Sequence, residues 1–489
     1  MAAVTHAIRY NKRAMRLSRF PLVFLASAAT LAFAANPRAA GENQSNAPAL
    51  STRIKHSAKF YHDRYGFMGV VAVQRAHHLV YEAGYGYANI ASQIPFDRET
   101  RFPIGSISKQ FTAAAILLLQ EDGKLKTSDP IGRYYQNAPA AWSGITLRNL
   151  LTQTSGIADF DFGQIHQGNL HTPDDALNLI VDKPLEFTPG TKYEYANSNY
   201  MLLGLVVERV SGEPFCQFLR DRIFSPLQLK QTGCNWNTHS VDQRAHGYHP
   251  SSKGPVPFED DDLSALAGAG SLYSTADDLI RWTEALFEYR LLKKASVGEM
   301  TTPFLNGYGD GFDIGGEGAE LDFSHNGVVE GFFSCLDYIP ATRTTVVVLS
   351  NLVAEGNLST PGTLALDTEL ARLAMDDDPI LPSDGKQAQV SAEILRGYAG
   401  HYRSDDADHP TDMILTFQNG QLFMQNVGGT PAPMDAESAT RFYLPNQEAE
   451  AIFDPNVKGR LEFTNYDPIW GMVFNRVPDE KGSFDGQQR

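Results

Sequence analysis

Three short patterns in this chain place reactive side chains at spacings that suit acyl transfer. The first is Ser106-Ile107-Ser108-Lys109. Residues three apart share one face of a helix, so this hydroxyl and this amine can meet. A serine hydroxyl is a weak nucleophile alone, and a neighbouring amine can take its proton or steady the alkoxide. The apolar run Phe111 to Leu119 predicts a buried helix behind the pair. If Ser106 opens that helix, the positive helix end lies where negative charge develops. The second pattern is Tyr195-Ala196-Asn197, which follows a Pro189-Gly190 turn and precedes an apolar run. A phenol acts as a base only where nearby cations favour the phenolate, and Lys109 is a candidate source of that field. Asn197 carries a donor and an acceptor, suited to holding a lysine and a substrate amide together. The third pattern is His325-Asn326-Gly327-Val328, on a strand whose glycine marks a close approach by another group. Each has a bland reading: a capping serine with a surface lysine, packing tyrosines, a structural histidine. The three in order argue for chemistry.

The elements that must carry these residues are legible in outline. Ile54, Ala58, Tyr61 and Tyr65 recur at helical spacing. Val70 to Val73 and Leu79 to Tyr81 flank a polar turn and predict a hairpin, with His77-His78 at its tip rather than on a metal. Residues 124–265 read as helices and long loops. Among them, Asp159-Phe160-Asp161-Phe162 reads equally as a cleft-lining loop or as a solvated turn. Strands return near Leu272, Phe323–Gly327, Phe332–Tyr338 and Thr344–Leu349, and Leu366, Leu370 and Leu373 mark a closing helix. The expected class is α/β: an antiparallel sheet flanked by helices, with a mostly helical subdomain and the site at their junction. Residues 376–390 read as an acidic, Pro-containing linker. From Leu395 on, short strands and turns such as Gln418-Asn419-Gly420 predict a small all-β barrel over 391–480.

The ordered set S-x-x-K, Y-x-N, H-x-G resembles the serine hydrolase superfamily of class C β-lactamases, DD-peptidases, D-aminopeptidases and related esterases. Leu150-Leu-Thr-Gln153-Thr-Ser155-Gly156 and Ala267-Gly-Ala-Gly270 support it. The resemblance spans roughly residues 51–375. It implies Ser106 as the acyl-accepting nucleophile, with Lys109 activating it and keeping Tyr195 acidic. Tyr195 would shuttle the proton to the leaving group, and Asn197 would bind Lys109 and the substrate amide. His325 would stand where many members carry lysine, and the N–H groups of Ser106 and Val328, beside Gly327, would form the oxyanion hole. Whether Lys109 or Tyr195 is the base stays open. Two departures matter. A histidine is largely neutral above a pKa of about 6.5, which turns the expectation from β-lactam hydrolysis toward D-amino-acid peptidases, DD-carboxypeptidases or esterases. Gln153 replaces a histidine common in relatives, with no physical consequence evident from sequence. The C-terminal strands resemble the lipocalin-like domains behind some D-aminopeptidase-type members.

The bulk composition narrows the partners. The 489 residues carry a formal charge of −16. Residues 1–34 hold five basic and no acidic side chains, so their removal would take −16 to −21. That argues against nucleic acid and anionic membrane surfaces, and toward a small-molecule or peptide substrate, with Lys109 as the evident positive charge for an anionic one. The basic start, the apolar stretch Phe20 to Phe33 and Ala32-Phe33-Ala34 read as a secretory signal, followed by a leader to residue 50. The reading is of a periplasmic or secreted protein without a stable membrane anchor. Cys216, Cys234 and Cys335 are the only cysteines; a Cys216–Cys234 pair and three buried thiols are both open. No metal-ligand spacing and no cofactor motif stands out, and a non-catalytic peptidoglycan-binding protein is the reading from another class.

Overall fold

The computed structural model describes residues 49–477, apart from 136–137, 161–162, 167, 235–240, 252–253, 260–261, 354–361, 377–387, 406–410, 427–430, 445–448, 456 and 467–468. The expected signal segment, all of the leader but 49–50, and most of the linker lie outside the described residues.

A six-stranded antiparallel sheet organises the larger unit. Its strands are β1 (Gly69–Arg75), β2 (His78–Tyr85), β3 (Asp313–Gly315), β4 (Asp322–Val329), β5 (Phe332–Ile339) and β6 (Thr344–Ser350), in the order β2-β1-β6-β5-β4-β3. Successive strand residues face opposite sides, and both sides of this sheet are covered. Val71, Val73, Val346 and Val348 meet α1 (Leu50–Tyr65) through Ile54, Ala58 and Tyr61. The C-terminal helix Thr363–Ala374 covers the same face through Leu366 and Leu370. Val70, Ala72, Val347 and Leu349 point the other way, into the larger core. That core includes α2 (Ser108–Glu121), α3 (Asn197–Ser211) and α4 (Ala276–Phe287). Double-sided burial explains why β6 reads as an unbroken apolar run. The β1–β2 turn is Ala76-His77, both in the left-handed region at φ 47° and 68°, so His77 caps the hairpin as expected while His78 begins β2.

The carboxy-terminal unit is a closed antiparallel barrel of eight strands, β7 (Gly400–Ser404) to β14 (Ile469–Arg476). Closure removes the unpaired edges a sheet would expose. Met413, Leu415, Leu422, Met424, Phe442 and Phe474 lie in its buried core. Strand structure was expected from Leu395, but Ala392–Tyr398 is helical. The Ser391 side chain caps it by accepting from Ile394 N, and Leu395 is buried against the barrel. The barrel meets the terminal-helix layer of the larger unit. There Arg64 Nη2 donates to Tyr443 Oη at 2.7 Å and the guanidinium lies 5.1 Å from the Tyr443 ring centroid. That layer lies across the sheet from α2.

Cys216 and Cys234 form a disulfide with Cα atoms 6.0 Å apart, and Cys335 is a buried free thiol. Among the described residues, no helix is long and apolar enough to cross a membrane.

Candidate active site

Ser106 does not open the α-helix. It lies on a 3-10 turn, Gly105–Ile107, that runs straight into α2 at Ser108. In a 3-10 turn side chains at i and i+3 eclipse, which brings the pair together: Lys109 Nζ is 2.9 Å from Ser106 Oγ. The amine also donates to Asn197 Oδ1 at 2.9 Å and to the Ala269 carbonyl at 2.8 Å. With Lys109 fully buried, its three donor positions are all engaged. It therefore does not supply the free positive charge for an anionic substrate that composition suggested.

Ala269 reaches Lys109 because residues 267–270 thread between α2 and α3. The Gly268 carbonyl accepts from Thr112 Oγ1 at 2.7 Å, and a Cβ on Gly268 would stand 2.7 Å from the Tyr200 carbonyl oxygen. Ala267 takes φ 41° and ψ −120° to make the bend, a costly conformation for a residue with a side chain.

Tyr195 and Asn197 sit at the start of α3, aimed by two residues far off in sequence. Asp159 accepts from the backbone N–H groups of Asn197 and Ser198 at 3.0 and 2.9 Å, capping the helix from another loop. Its carboxylate also takes the Asn197 side-chain amide at 3.3 Å, which turns Asn197 Oδ1 toward Lys109. Gln153, at φ 58° and fully buried, accepts from Ala196 N at 3.2 Å and from Asn199 Nδ2 at 2.5 Å. So the residue that departs from its relatives clamps the segment carrying Tyr195. Of the Asp159–Phe162 stretch, Asp159 and Phe160 are thus tied in or buried, while 161–162 lie outside the described residues.

The Tyr195 side chain lies beside Ser106, and the Lys109 amine lies 4.8 Å from its ring centroid. The third pattern arrives on β4. This strand pairs with β3 only through Ser324, so from His325 on its outer edge is open to the nucleophile turn. Two glycines allow that approach. A Cβ on Gly327 would lie 2.0 Å from the Ile104 carbonyl oxygen, and one on Gly105 (φ +48°) would lie 2.7 Å from Val328 N. The backbones of Ser106 and Val328 are thereby neighbours. His325 is buried, with its ring centroid 6.2 Å from that of Tyr195. All seven residues picked from sequence thus meet in one place.

Burial sets the charge states. It pushes the Lys109 amine down to about 7, against the pull of the Asp159 carboxylate. It pushes the Tyr195 phenol well above its ordinary value, an effect only partly offset by the neighbouring Ser106 hydroxyl. The implied Lys109 field that keeps Tyr195 acidic is therefore overruled: removal of the phenolate from water outweighs it. His325 is pushed down to about 3, by burial first and by Lys109 second. Near neutral pH the site holds a protonated phenol, a neutral imidazole and an amine balanced between its two forms.

Tyr308 drew no notice in the sequence. It is fully buried, its hydroxyl is 3.1 Å from His325 Nε2, and its ring stands edge-on to Tyr195. Tyr200 is a packing residue, its hydroxyl donating to the Leu151 carbonyl at 2.7 Å, and Tyr193 packs on Tyr308 at 5.7 Å between ring centroids.

Comparison with known proteins agrees with this assembly. The Beta-lactamase family model matches residues 54–400. PbpX of Bacillus subtilis (strain 168) is 35% identical over 288 residues, which is 59% of this chain and 71% of that one. A D-amino acid amidase from Ochrobactrum anthropi superimposes with a TM-score of 0.60 at 25% identity, covering 67% of this chain and 98% of its own. An octameric penicillin-binding protein homologue from Pyrococcus abyssi matches in fold over 86% of this chain and 99% of its own, with a TM-score of 0.62 at 22% identity. With most of its length matched and its hydroxyl, amine and phenol gathered at one turn, this chain belongs to the Beta-lactamase family and is a serine hydrolase.

Proposed function

We propose that this chain is an exported hydrolase that acylates Ser106 and acts on amides or peptides of D-amino acids. The observation that carries the reading is the Ser106–Lys109 contact of 2.9 Å, made by an amine that burial holds near neutrality. In its neutral form Lys109 takes the Ser106 proton as Oγ bonds to the substrate carbonyl carbon. The carbonyl oxygen becomes an oxyanion facing the N–H groups of Ser106 and Val328. Tyr195, kept protonated, gives its proton to the departing nitrogen, and the proton on Lys109 refills the phenolate. A water then attacks the ester, gives up its proton to the same pair, and frees Ser106. Asn197 keeps Lys109 in line and has a second amide hydrogen for a substrate carbonyl.

The preference for D-amino-acid substrates is supported by the likeness to the Ochrobactrum amidase and by His325, which burial keeps uncharged. A DD-carboxypeptidase-like activity belongs to the same reading; an esterase or β-lactamase activity is the alternative. Release of ammonia from D- and L-phenylalanine amide, measured beside p-nitrophenyl acetate and nitrocefin, tests it. The D-amide should be the best substrate and its L-isomer poor. Nitrocefin turning over fastest would overturn the preference. Export is tested by the amino terminus of the secreted protein, which should begin at Ala35.

A further inference from the structure

We propose that Tyr308 is a positioning residue: by donating to His325 Nε2 it fixes the imidazole as the Nδ1–H tautomer and leaves that ring with nothing to offer a substrate carboxylate. The assignment follows from counting protons. His325 Nδ1 is 2.6 Å from the Asn326 carbonyl oxygen. A carbonyl only accepts, so Nδ1 carries a hydrogen. A neutral ring has one N–H, and burial together with Lys109 disfavours the second proton. Nε2 is then a bare acceptor 3.1 Å from the Tyr308 hydroxyl, and as a stronger base than the neighbouring Tyr200 oxygen it takes that hydroxyl's hydrogen. Tyr200 does not compete for Nε2, because its own hydroxyl hydrogen goes to the Leu151 carbonyl. The Tyr308 ring cannot easily turn aside: it is fully buried and packed against Tyr193 and Tyr195.

Both nitrogens of His325 are thus consumed, and the nearest cation, Lys109, has its donors on Ser106, Asn197 and Ala269. A lysine at this place would present an ammonium to a leaving group ending in a carboxylate. Here such a carboxylate would lose its water without gaining a partner, which is costly. The substrate class that fits is one whose leaving group ends in an amide, an ester or a further residue. This inference rests on the acyl-enzyme reading above and narrows it away from DD-carboxypeptidase chemistry.

The test compares kcat/KM for D-phenylalanyl-D-alanine amide and for the same dipeptide with a free carboxylate. The wild-type protein should favour the amide. In Tyr308→Phe the Nε2 lone pair loses its donor, and a substrate carboxylate brought beside it can draw a proton onto it, so the amide-to-acid ratio should fall about tenfold, the worth of one good hydrogen bond. A general loosening of the fold would depress both substrates together and leave the ratio unmoved. The second measurement is the 15N spectrum of wild-type His325, assigned by its loss in His325→Gln; it should report a proton on Nδ1 and none on Nε2. An unchanged ratio, or a wild-type ring protonated on Nε2, overturns the proposal, and the spectrum alone decides it if Tyr308→Phe does not fold. A wild-type protein that forms no Ser106 adduct with a fluorophosphonate sinks the acyl-enzyme reading instead, leaving the spectrum to judge Tyr308.

Discussion

Asp159→Asn is the most informative single perturbation of the site, because it removes a charge and turns one accepting oxygen into a donor by changing one atom. In the wild type one amide separates the Asp159 carboxylate from the Lys109 ammonium: 3.3 Å from Oδ2 to Asn197 Nδ2, and 2.9 Å from Asn197 Oδ1 to Nζ. The charges therefore stand on the order of 6–8 Å apart, and at an effective dielectric of about 20–40 they attract by about 1–3 kcal/mol. That attraction favours protonated Lys109, whose amine sits at about 7 with it present. Its removal should lower the amine by about 1–2 pH units. In the proposed mechanism the neutral amine is the active form, so kcat/KM on a neutral D-amino-acid amide rises with pH through the Lys109 pKa. The acid limb should therefore move from about 7 in the wild type to about 5–6 in the variant. Asparagine caps about as well as aspartate, but its amide nitrogen would face donors of Asn197 or Ser198 that a carboxylate oxygen accepted, which should cost about 1 kcal/mol of stability, read separately as a lower thermal midpoint. The pH profile, taken at constant ionic strength and well below the midpoint, separates the two effects. A limb that stays in place, or moves upward, while the midpoint falls would show that Asp159 supports the helix without reaching Lys109 and would refute the electrostatic reasoning.

Three other outcomes follow from packing and charge. Gly327→Ala would drive a Cβ to 2.0 Å from the Ile104 carbonyl oxygen and 2.6 Å from Ser334 Oγ. Forcing β4 from the nucleophile turn should cost about 1–3 kcal/mol and at least a hundredfold in kcat/KM, seen by denaturant melts and steady-state kinetics. Arg148 holds the fully buried Asp310 carboxylate at 2.8 and 2.9 Å, and burial nonetheless pushes that carboxyl up to about 7. Folding therefore favours protonated Asp310, and its contribution to stability is lost as pH rises through 7. Arg148→Met raises the carboxyl further, so the variant should keep the protonated acid above pH 7 where the wild type ionises, and its deficit should be greater at pH 8 than at pH 5 by at most about 1.4 kcal/mol, measured by urea unfolding at both. His325, already neutral with its pKa at about 3, should add no step to the pH–rate profile between 5 and 8; a step there that disappears in His325→Gln would contradict its burial.

The parts of the molecule that sequence revealed are those encoded locally. The Ser106–Lys109 spacing, the apolar α2, the Gly327 approach and the unbroken apolar run of β6 each report their own surroundings. The two terminal helices were legible because a helical stripe must find a sheet to cover. What sequence did not show depends on contacts across the topology. Asp159 acts on Asn197 thirty-eight positions away, Gln153 on Asn199 forty-six away, and Tyr308 on His325 seventeen away. None carries a local pattern that separates it from a surface acid, a loop amide or a packing tyrosine. A partial signal existed for Gln153, a polar residue inside an otherwise matching motif. The sign of the Tyr195 shift was also out of reach, because it depends on how completely the fold removes the phenol from water. The helix at Ala392–Tyr398 was missed because Tyr398 and Tyr402 suggested strand, while Ser391 supplied a cap that outweighed them.

The most direct measurement is rapid-quench mass spectrometry of the protein mixed with a D-phenylalanine ester, followed by peptide mapping. A phenylalanyl adduct should build up on Ser106 within the first turnover, decay at the rate of product release, and be absent from Ser106→Ala and scarce in Lys109→Met. Turnover with no adduct on Ser106, or an adduct that forms as fast without Lys109, would contradict the claim that this buried amine activates this hydroxyl.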